Sequence, residues 1–133
     1  MPPPSVFSNH DKHDTLLFNG IPSILIAESG GIDGIRDAHL LDLSINSPFH
    51  TFGGQYLYPT LEAMAAHLAF SLIKNHPFLD GNKRIGIMAM MVFLKINGHP
   101  VTCTNDELER LGWGLAEGSV TKEELIEWII SHS

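Results

Sequence analysis

A base, a carboxylate, a glycine turn and two cations occur within nine consecutive residues, the run His76-Pro77-Phe78-Leu79-Asp80-Gly81-Asn82-Lys83-Arg84. The run lies between two strongly apolar segments whose hydrophobic residues recur at helical spacing. Transfer of a phosphoryl or nucleotidyl group needs a base for the incoming hydroxyl and positive groups that hold the phosphates. The residue types in this loop are suited to that chemistry.

The glycine of the run stands where a second helix is expected to begin. A helix N-terminus presents unpaired backbone N–H groups and a partial positive charge, and it therefore attracts anions. Gly81 would let the backbone approach a phosphate closely, while Asn82, Lys83 and Arg84 would add side-chain donors. Arg84 is suited to a bidentate contact. We therefore expect this loop to form an anion-binding nest.

Three further residues complete the candidate site. Asp80 puts a negative charge beside the nest, which suits a Mg2+ that bridges the carboxylate to phosphates. Histidine side chains titrate near neutral pH, so His76 would remove a proton from an incoming hydroxyl. Phe78 would anchor the loop in the core. Each residue taken alone also fits an ordinary helix end and turn, but the combination favours a site.

Two predicted helices must hold this loop. The first is amphipathic and ends at Asn75, because Pro77 forces the residue before it out of helical geometry. The second runs from about Asn82 to Asn97 and is closed by Gly98, a residue suited to a left-handed cap. It is apolar nearly all round, which predicts the buried central helix of the fold.

Other helices are predicted on both sides of this pair. A short helical pattern from Ile24 to Ser29 precedes a glycine-rich turn, and the next helix is expected to start near Arg36. Side-chain caps are predicted for three helices, by Thr60, by Thr104 with Glu107 and by Thr121 with Glu124. The residues expected to dock the last two helices on the central one are Trp113, Leu125, Trp128 and Ile129.

The segment from Ser47 to Pro59 is rich in proline, glycine and aromatic residues, and we interpret it as a loop or flap with a possible hairpin. No other alternating strand pattern is evident in the sequence. The predicted fold is therefore all-α, with five to six helices around a buried central helix and a short flap.

Composition limits the class of protein. With 133 residues, 44% of them hydrophobic and 17% charged, residues 1–133 are expected to form one domain, of which the proline-rich residues 1–10 form a flexible tail. The net charge of −7 argues against direct nucleic-acid binding. Cys103 is the one cysteine, and the sequence shows no signal peptide and no segment long enough to span a membrane. A cytoplasmic, soluble protein is expected.

The nine-residue run resembles the signature of the Fic/Doc family, specifically the death-on-curing (Doc) branch of toxin-antitoxin toxins. The resemblance covers about Ile24 to Trp128. Further stretches typical of that branch are Gly30-Gly31, Gly34-Ile35-Arg36-Asp37, Thr51-Phe52-Gly53-Gly54, Leu57-Tyr58-Pro59-Thr60 and Asn97-Gly98. The chain departs from the branch in two respects. Many members carry a histidine in the first helix, at the position where this chain has Pro22. The residues from His10 to Ser23 also align poorly with the branch.

The resemblance implies a role for each position. His76 would be the general base and Asp80 the Mg2+ ligand, while Phe78 anchors the loop and the segment from Phe49 to Tyr58 holds the target peptide as an extended strand. Gly81 and Asn82 would line the anion hole, and Lys83 and Arg84 would hold the phosphates of ATP. The implied partners are a translation factor, elongation factor Tu by family precedent, and an antitoxin segment that folds on binding.

Two residues bear on which group is transferred. AMP-transferring members of the family have glycine and a second arginine at the positions of Lys83 and Ile87. Lys83 would fill space that the phosphates of the nucleotide otherwise use, and Ile87 cannot bind an anion. Doc toxins share both departures and are understood to transfer the terminal phosphate of ATP. The resemblance therefore favours a Ser/Thr protein kinase over an AMP transferase.

The sequence alone leaves other functions and sites open. Transfer of AMP to a protein hydroxyl is the second candidate, and an antitoxin-binding module that acts as a co-repressor without enzyme activity is the third. A metal site built from His76, Asp80 and His67 is less favoured than histidines scattered over the surface and helix ends. His50, Tyr56 and Tyr58 would either contact a substrate or pack the flap.

Overall fold

The computed structural model describes residues 24–133, and α-helices dominate this part of the chain. Residues 24–28 are helical, and five longer helices follow, which are α1 (Ala38–Asn46), α2 (Leu61–Asn75), α3 (Asn82–Ile96), α4 (Asn105–Glu117) and α5 (Lys122–His132). Strands β1 (Thr51–Phe52) and β2 (Gln55–Tyr56) form an antiparallel hairpin in the predicted flap. The prediction of an all-α fold is confirmed.

Sequence predictions for the first 23 residues lie outside the described part of the chain. These are the flexible tail at residues 1–10 and the poorly aligned stretch from His10 to Ser23, which contains Pro22. Among the described residues, no helix is both long enough and apolar enough to cross a membrane.

Side-chain caps fix the starts of the helices as the sequence predicts. Thr60 accepts a hydrogen bond from the N–H of Ala63 at 3.0 Å, and complete capping boxes open α4 and α5 at Thr104 and Thr121. The start of α1 is two residues later than predicted, because the Asp37 side chain accepts the bond that caps this helix.

The packing centre of the bundle is α2, which contacts α1, α3, α4 and α5. The sequence assigned this position to the helix from Asn82, and this detail was wrong. Helix α3 is buried but packs chiefly on α2 and α4. The reason lies in the small residues of α2, which let neighbours approach on several sides, namely Ala63, Ala65, Ala66 and Ala69.

Gly86 allows α3 to approach α2 closely, whereas Gly112 marks the contact of α3 with α4, where an added Cβ would lie at ordinary van der Waals distance. A Cβ at Gly86 of α3 would lie 2.8 Å from Ile73 Cγ1 of α2, so only glycine fits there without a shift. A Cβ at Gly112 of α4 would lie 3.5 Å from the Lys83 Cβ and 3.6 Å from Ile87 Cγ1. The first two turns of α3 are therefore packed on one side by α2 and on another by α4.

Of the residues predicted to dock the last two helices on the core, some are buried and others are not. Leu125 and Ile129 are fully buried, whereas Trp128 is half-buried. Helix α5 packs against α2 rather than the helix that the sequence took as central. Trp113 is 53% exposed and does not dock α4 on the core, because the buried face of α4 is formed by Leu111, Gly112 and Leu115.

Candidate functional site

The loop between α2 and α3 begins with a residue in an uncommon conformation. His76 follows the last turn of α2 with φ 49° and ψ 54°, and it is the one non-glycine residue with a positive φ in the described part of the chain. Its exposed imidazole places Nδ1 3.3 Å from the carbonyl oxygen of Lys74. Because a carbonyl can only accept, this contact requires the proton on Nδ1, and in the neutral ring that tautomer leaves the lone pair on Nε2.

A short segment before α1 clamps this loop through its backbone. The N–H groups of Arg36 and Asp37 both donate to the carbonyl of Pro77, at 2.8 and 3.0 Å. The N–H of Leu79 donates to the carbonyl of Gly34 at 2.9 Å, and Ile35 pairs with Phe78 in an antiparallel bridge. The loop therefore has the backbone support of a small sheet although it contains no regular strand.

Asn82 holds the loop from the inside. Its carboxamide accepts a hydrogen bond from the N–H of Phe78 and donates one to the carbonyl of the same residue, both at 3.0 Å. Phe78 is 1% exposed, which agrees with its predicted role as the buried anchor. The sequence expected the Asn82 side chain to be a phosphate donor, but the structure uses it inside the loop. Its backbone N–H at the start of α3 is what this residue offers to an anion.

Asp80 and Gly81 form the turn into α3. Gly81 has φ 76°, a left-handed conformation that the turn requires, and its N–H donates to Asp80 Oδ1 at 2.8 Å. This leaves the exposed carboxylate of Asp80 with one oxygen for a cation. The described residues contain no group of three or more metal-ligating side chains. A single carboxylate suits Mg2+ that arrives with a nucleotide, since this ion takes its other ligands from water and phosphate oxygens.

A groove of about 750 Å³ lies between α3 and α4, beside the loop. Its lining combines the charged side chains Asp80, Lys83, Arg84 and Glu109 with the apolar side chains Ile87, Met88, Met91, Leu108 and Trp113. Lys83 Nζ lies 4.5 Å from the centre of the Trp113 ring, at cation–π distance. Among the described residues, His76 and Asn82 do not line this groove.

Arg84 is held by a residue that the sequence analysis did not single out. Its Nη1 lies 3.2 Å from Glu28 Oε2, and both side chains are largely exposed. A phosphate that binds Arg84 would therefore meet the negative charge of this carboxylate beside it and would compete with it for the guanidinium. The sequence gives little signal for the pair, because the two residues are 56 positions apart.

Replacing Glu28 by glutamine is expected to increase the affinity for ATP by about two- to fivefold, because an exposed ion pair contributes up to about 1 kcal/mol. The measurement is the dissociation constant of Mg-ATP by calorimetry at low salt. Glu123→Gln, an exposed acid in the first turn of α5, is the matched control. Equal affinity of the Glu28 variant and wild type would mean that the carboxylate does not compete for Arg84.

His67 lies in a separate cluster and does not take part in the loop. Its Nε2 is 3.1 Å from the hydroxyl of Ser71, and its Nδ1 is 3.2 Å from Lys122 Nζ. The ring also stacks on Tyr58 at 4.1 Å. Because both nitrogens have partners and one is a cation, the alternative of a metal site with His67 gains no support. Tyr58 packs the end of the flap, as one of the two sequence alternatives had it.

The environment of His67 makes folding pH-dependent. Burial, and then the positive charges of Lys122 and His50, lower the pKa of His67 from 6.5 to about 4. The unfolded chain binds a proton on this residue at a higher pH than the native state does. Its contribution to stability is therefore complete above pH 6.5 and is lost as the pH falls towards 4.

We expect the free energy of unfolding to fall by roughly 1–2 kcal/mol more in wild type than in His67→Gln between pH 7.5 and 4.5, after allowance for the partial exposure of the ring. Urea unfolding at both pH values measures this difference, with the exposed His39→Gln as the control variant. An identical pH dependence in His67→Gln and wild type would contradict the prediction.

Comparisons with known proteins bear on the same residues. A family model described as "Fic/DOC family" matches residues 12–94, which include the flap, α2 and the whole loop from His76 to Arg84. A protein of Mycolicibacterium smegmatis named "Toxin Doc" is 45% identical over 69 residues, 52% of this chain. The match spans about half the length of that relative, 53%.

The family model covers more than half of the chain and contains every residue that the sequence analysis placed in the candidate site. The mostly helical fold of the described residues is consistent with this family. On this match, the chain belongs to the Fic/DOC family.

Proposed function

We propose that this protein is the toxin of a toxin-antitoxin system and acts as a protein kinase that transfers the terminal phosphate of ATP to a Ser or Thr hydroxyl. The relative in M. smegmatis that is named Toxin Doc supports the toxin role. The loop between α2 and α3 supports the transfer chemistry, because it combines a histidine with an available nitrogen, a carboxylate and the start of a helix.

In the proposed reaction, His76 Nε2 takes the proton of the target hydroxyl, and the oxygen forms a bond to the γ phosphorus. The bond between that phosphorus and the β–γ bridging oxygen breaks, and ADP leaves. Backbone N–H groups at the start of α3, together with Lys83 and Arg84, hold the phosphates. Mg2+ bound at Asp80 would neutralise charge on the phosphate oxygens.

The observation that carries the choice of a kinase is the packing of α3 on α4. Lys83 and Ile87 both face Gly112 across this contact, and Ile87 is 5% exposed. An arginine at position 87, which AMP-transferring members have, would have to leave this contact to reach a phosphate. The position therefore supplies packing rather than charge, and this favours transfer of the terminal phosphate.

The groove between α3 and α4 supports ATP as the donor. Its cations Lys83 and Arg84 suit phosphates, and its methionines and exposed indole offer a surface on which a nucleobase can lie. On this proposal, Lys83 leaves the Trp113 ring to bind a phosphate when ATP enters.

The proposed target is a translation factor, with elongation factor Tu as the first to test, and the proposed partner is an antitoxin segment that folds on the toxin. The experiment incubates the purified protein, without antitoxin, with elongation factor Tu and ATP labelled separately at the α and γ phosphates. Label from γ alone is the expected result, whereas label from α would replace kinase activity by AMP transfer.

His76→Asn is the negative control for the labelling experiment. If wild type labels no translation factor from either position and arrests growth as strongly as His76→Asn does, the kinase proposal fails and the binding-module alternative takes its place. Growth arrest by wild type that His76→Asn abolishes would instead direct the search to another hydroxyl target.

A further inference from the structure

The end of α2 poses a structural problem at the proposed base. The last carbonyls of a helix lack partners within the helix, and a left-handed residue at the end usually lets the following N–H groups return to them. Here His76 is left-handed, but the next residue is Pro77, which has no N–H. The backbone bond that would normally hold such a residue in place cannot form from that position.

The guanidinium of Arg36 supplies a different support at this helix end, because it binds the carbonyls of the left-handed residue and of the residue before it. Its Nε donates to the carbonyl of His76 at 2.6 Å, and its Nη2 donates to the carbonyl of Asn75 at 2.9 Å. The imidazole Nδ1 donates to the next carbonyl back, that of Lys74, at 3.3 Å. The last three carbonyls before Pro77 therefore each accept a side-chain hydrogen bond, two of them from one charged and planar group.

The backbone around Arg36 makes this donor rigid. Its own N–H and that of Asp37 donate to the carbonyl of Pro77, and Asp37 caps α1 immediately afterwards. Arg36 therefore reaches the His76 carbonyl from a segment that is itself bound to the loop. The contact spans 40 positions of the sequence, so it exists only in the folded protein.

We propose that Arg36 is a positioning residue for His76, which holds the histidine in its left-handed conformation and thereby fixes the direction and the tautomer of the imidazole. The catalytic consequence rests on the proposed transfer reaction, whereas the conformational role does not. A non-glycine residue pays a free-energy cost in this region of φ and ψ. Without Arg36, His76 would relax towards the extended conformation that residues before proline prefer.

Such a relaxation would move the ring relative to the start of α3 and would release Nδ1 from the Lys74 carbonyl. The proton would then be shared between the two ring nitrogens, so that Nε2 is the proton acceptor in only part of the molecules. Because a displacement of about 1 Å at a reacting group can cost about a hundredfold in rate, we expect Arg36→Gln to lower kcat by about 10- to 100-fold. The KM for ATP should change by less than about twofold, since Arg36 does not line the groove.

The test compares wild type, Arg36→Gln, Arg36→Lys and the control Arg110→Gln, an exposed arginine on α4. Ring 15N and backbone 13Cα chemical shifts of His76, assigned with His76→Asn, report its tautomer and conformation without any need for activity. Kinetics with γ-labelled ATP report kcat and KM. Arg36→Lys keeps the positive charge but cannot donate to both the His76 and the Asn75 carbonyls as the guanidinium does. Its kcat should therefore lie between those of Arg36→Gln and wild type.

In wild type and Arg110→Gln we expect one tautomer, with the proton on Nδ1, and in Arg36→Gln a mixture together with a shifted 13Cα resonance. Unchanged His76 resonances in Arg36→Gln would overturn the proposal, as would an unchanged kcat in an active protein. If Arg36→Gln does not fold, the Arg36→Lys variant decides. His76 resonances identical to wild type would overturn the proposal, and resonances of a tautomer mixture would support it. If the wild-type protein transfers no phosphate, this result contradicts the proposed kinase function but not the role of Arg36. The NMR comparison of the variants still decides that role.

Discussion

Replacing His76 by asparagine is expected to lower the rate of phosphate transfer by about 10²- to 10⁴-fold, the usual contribution of a general base. Asparagine suits this position because it tolerates the left-handed conformation better than other non-glycine residues do. The side chain of His76 is exposed, and its hydrogen bond to the Lys74 carbonyl is long, so the fold does not depend on it. Activity should therefore be lost without loss of stability.

The measurements are kcat from γ-labelled ATP and the free energy of unfolding from urea titration. His39→Asn, which removes an exposed histidine from α1, is the matched control and should retain wild-type values of both quantities. Retention of more than about a tenth of the wild-type rate in His76→Asn would exclude His76 as the base. A large fall in stability of this variant would show that the imidazole is structural.

Replacing Asn82 by alanine is expected to cost about 3 kcal/mol of unfolding free energy. The change removes two hydrogen bonds to Phe78, whose backbone lies in the buried part of the loop. Phe78 N–H and C=O would be left without these partners, and each buried polar group of this kind costs about 1–3 kcal/mol when it loses its partner. Because the loop connects α2 and α3, the damage should also reduce activity.

Urea unfolding with a common slope for all variants measures the effect. Asn46→Ala is the matched control, because the Asn46 carboxamide bonds only to Asp42 of its own helix among the interactions that the structure describes, and it is exposed. Its removal should cost less than about 0.5 kcal/mol. A similar small cost in Asn82→Ala would mean that the loop keeps its shape without the carboxamide.

Local signals in the sequence predicted most of the helices and their limits. The caps at Thr60, Thr104 and Thr121 depend on residues no more than three positions apart, so they are visible without knowledge of the fold. The end of α2 follows from Pro77 in the same way, and the left-handed conformation of Gly98 after α3 follows from the glycine itself. Spacing of apolar residues then placed the loop between two buried helices.

The packing centre could not be predicted in this way. The sequence favoured α3 as the central helix because it is apolar nearly all round, yet α2 contacts more neighbours because its alanines let other helices approach. The position of Trp113 could not be predicted from the sequence either. An aromatic residue was expected in the core, but it lies exposed at the groove beneath Lys83.

The sequence by itself determined the chemical content of the loop from His76 to Arg84, the all-α fold and the resemblance to the Fic/Doc family, because residue types, caps and spacing are local properties. Only the tertiary structure decided how those residues are used. It assigns the Asn82 side chain to the loop, pairs Arg84 with Glu28 and brings Arg36 to the carbonyl of His76. The contacts of Arg84 and Arg36 join residues that are distant in the chain. The Asn82 side chain had several potential partners. Only the packed fold determines which of these interactions form.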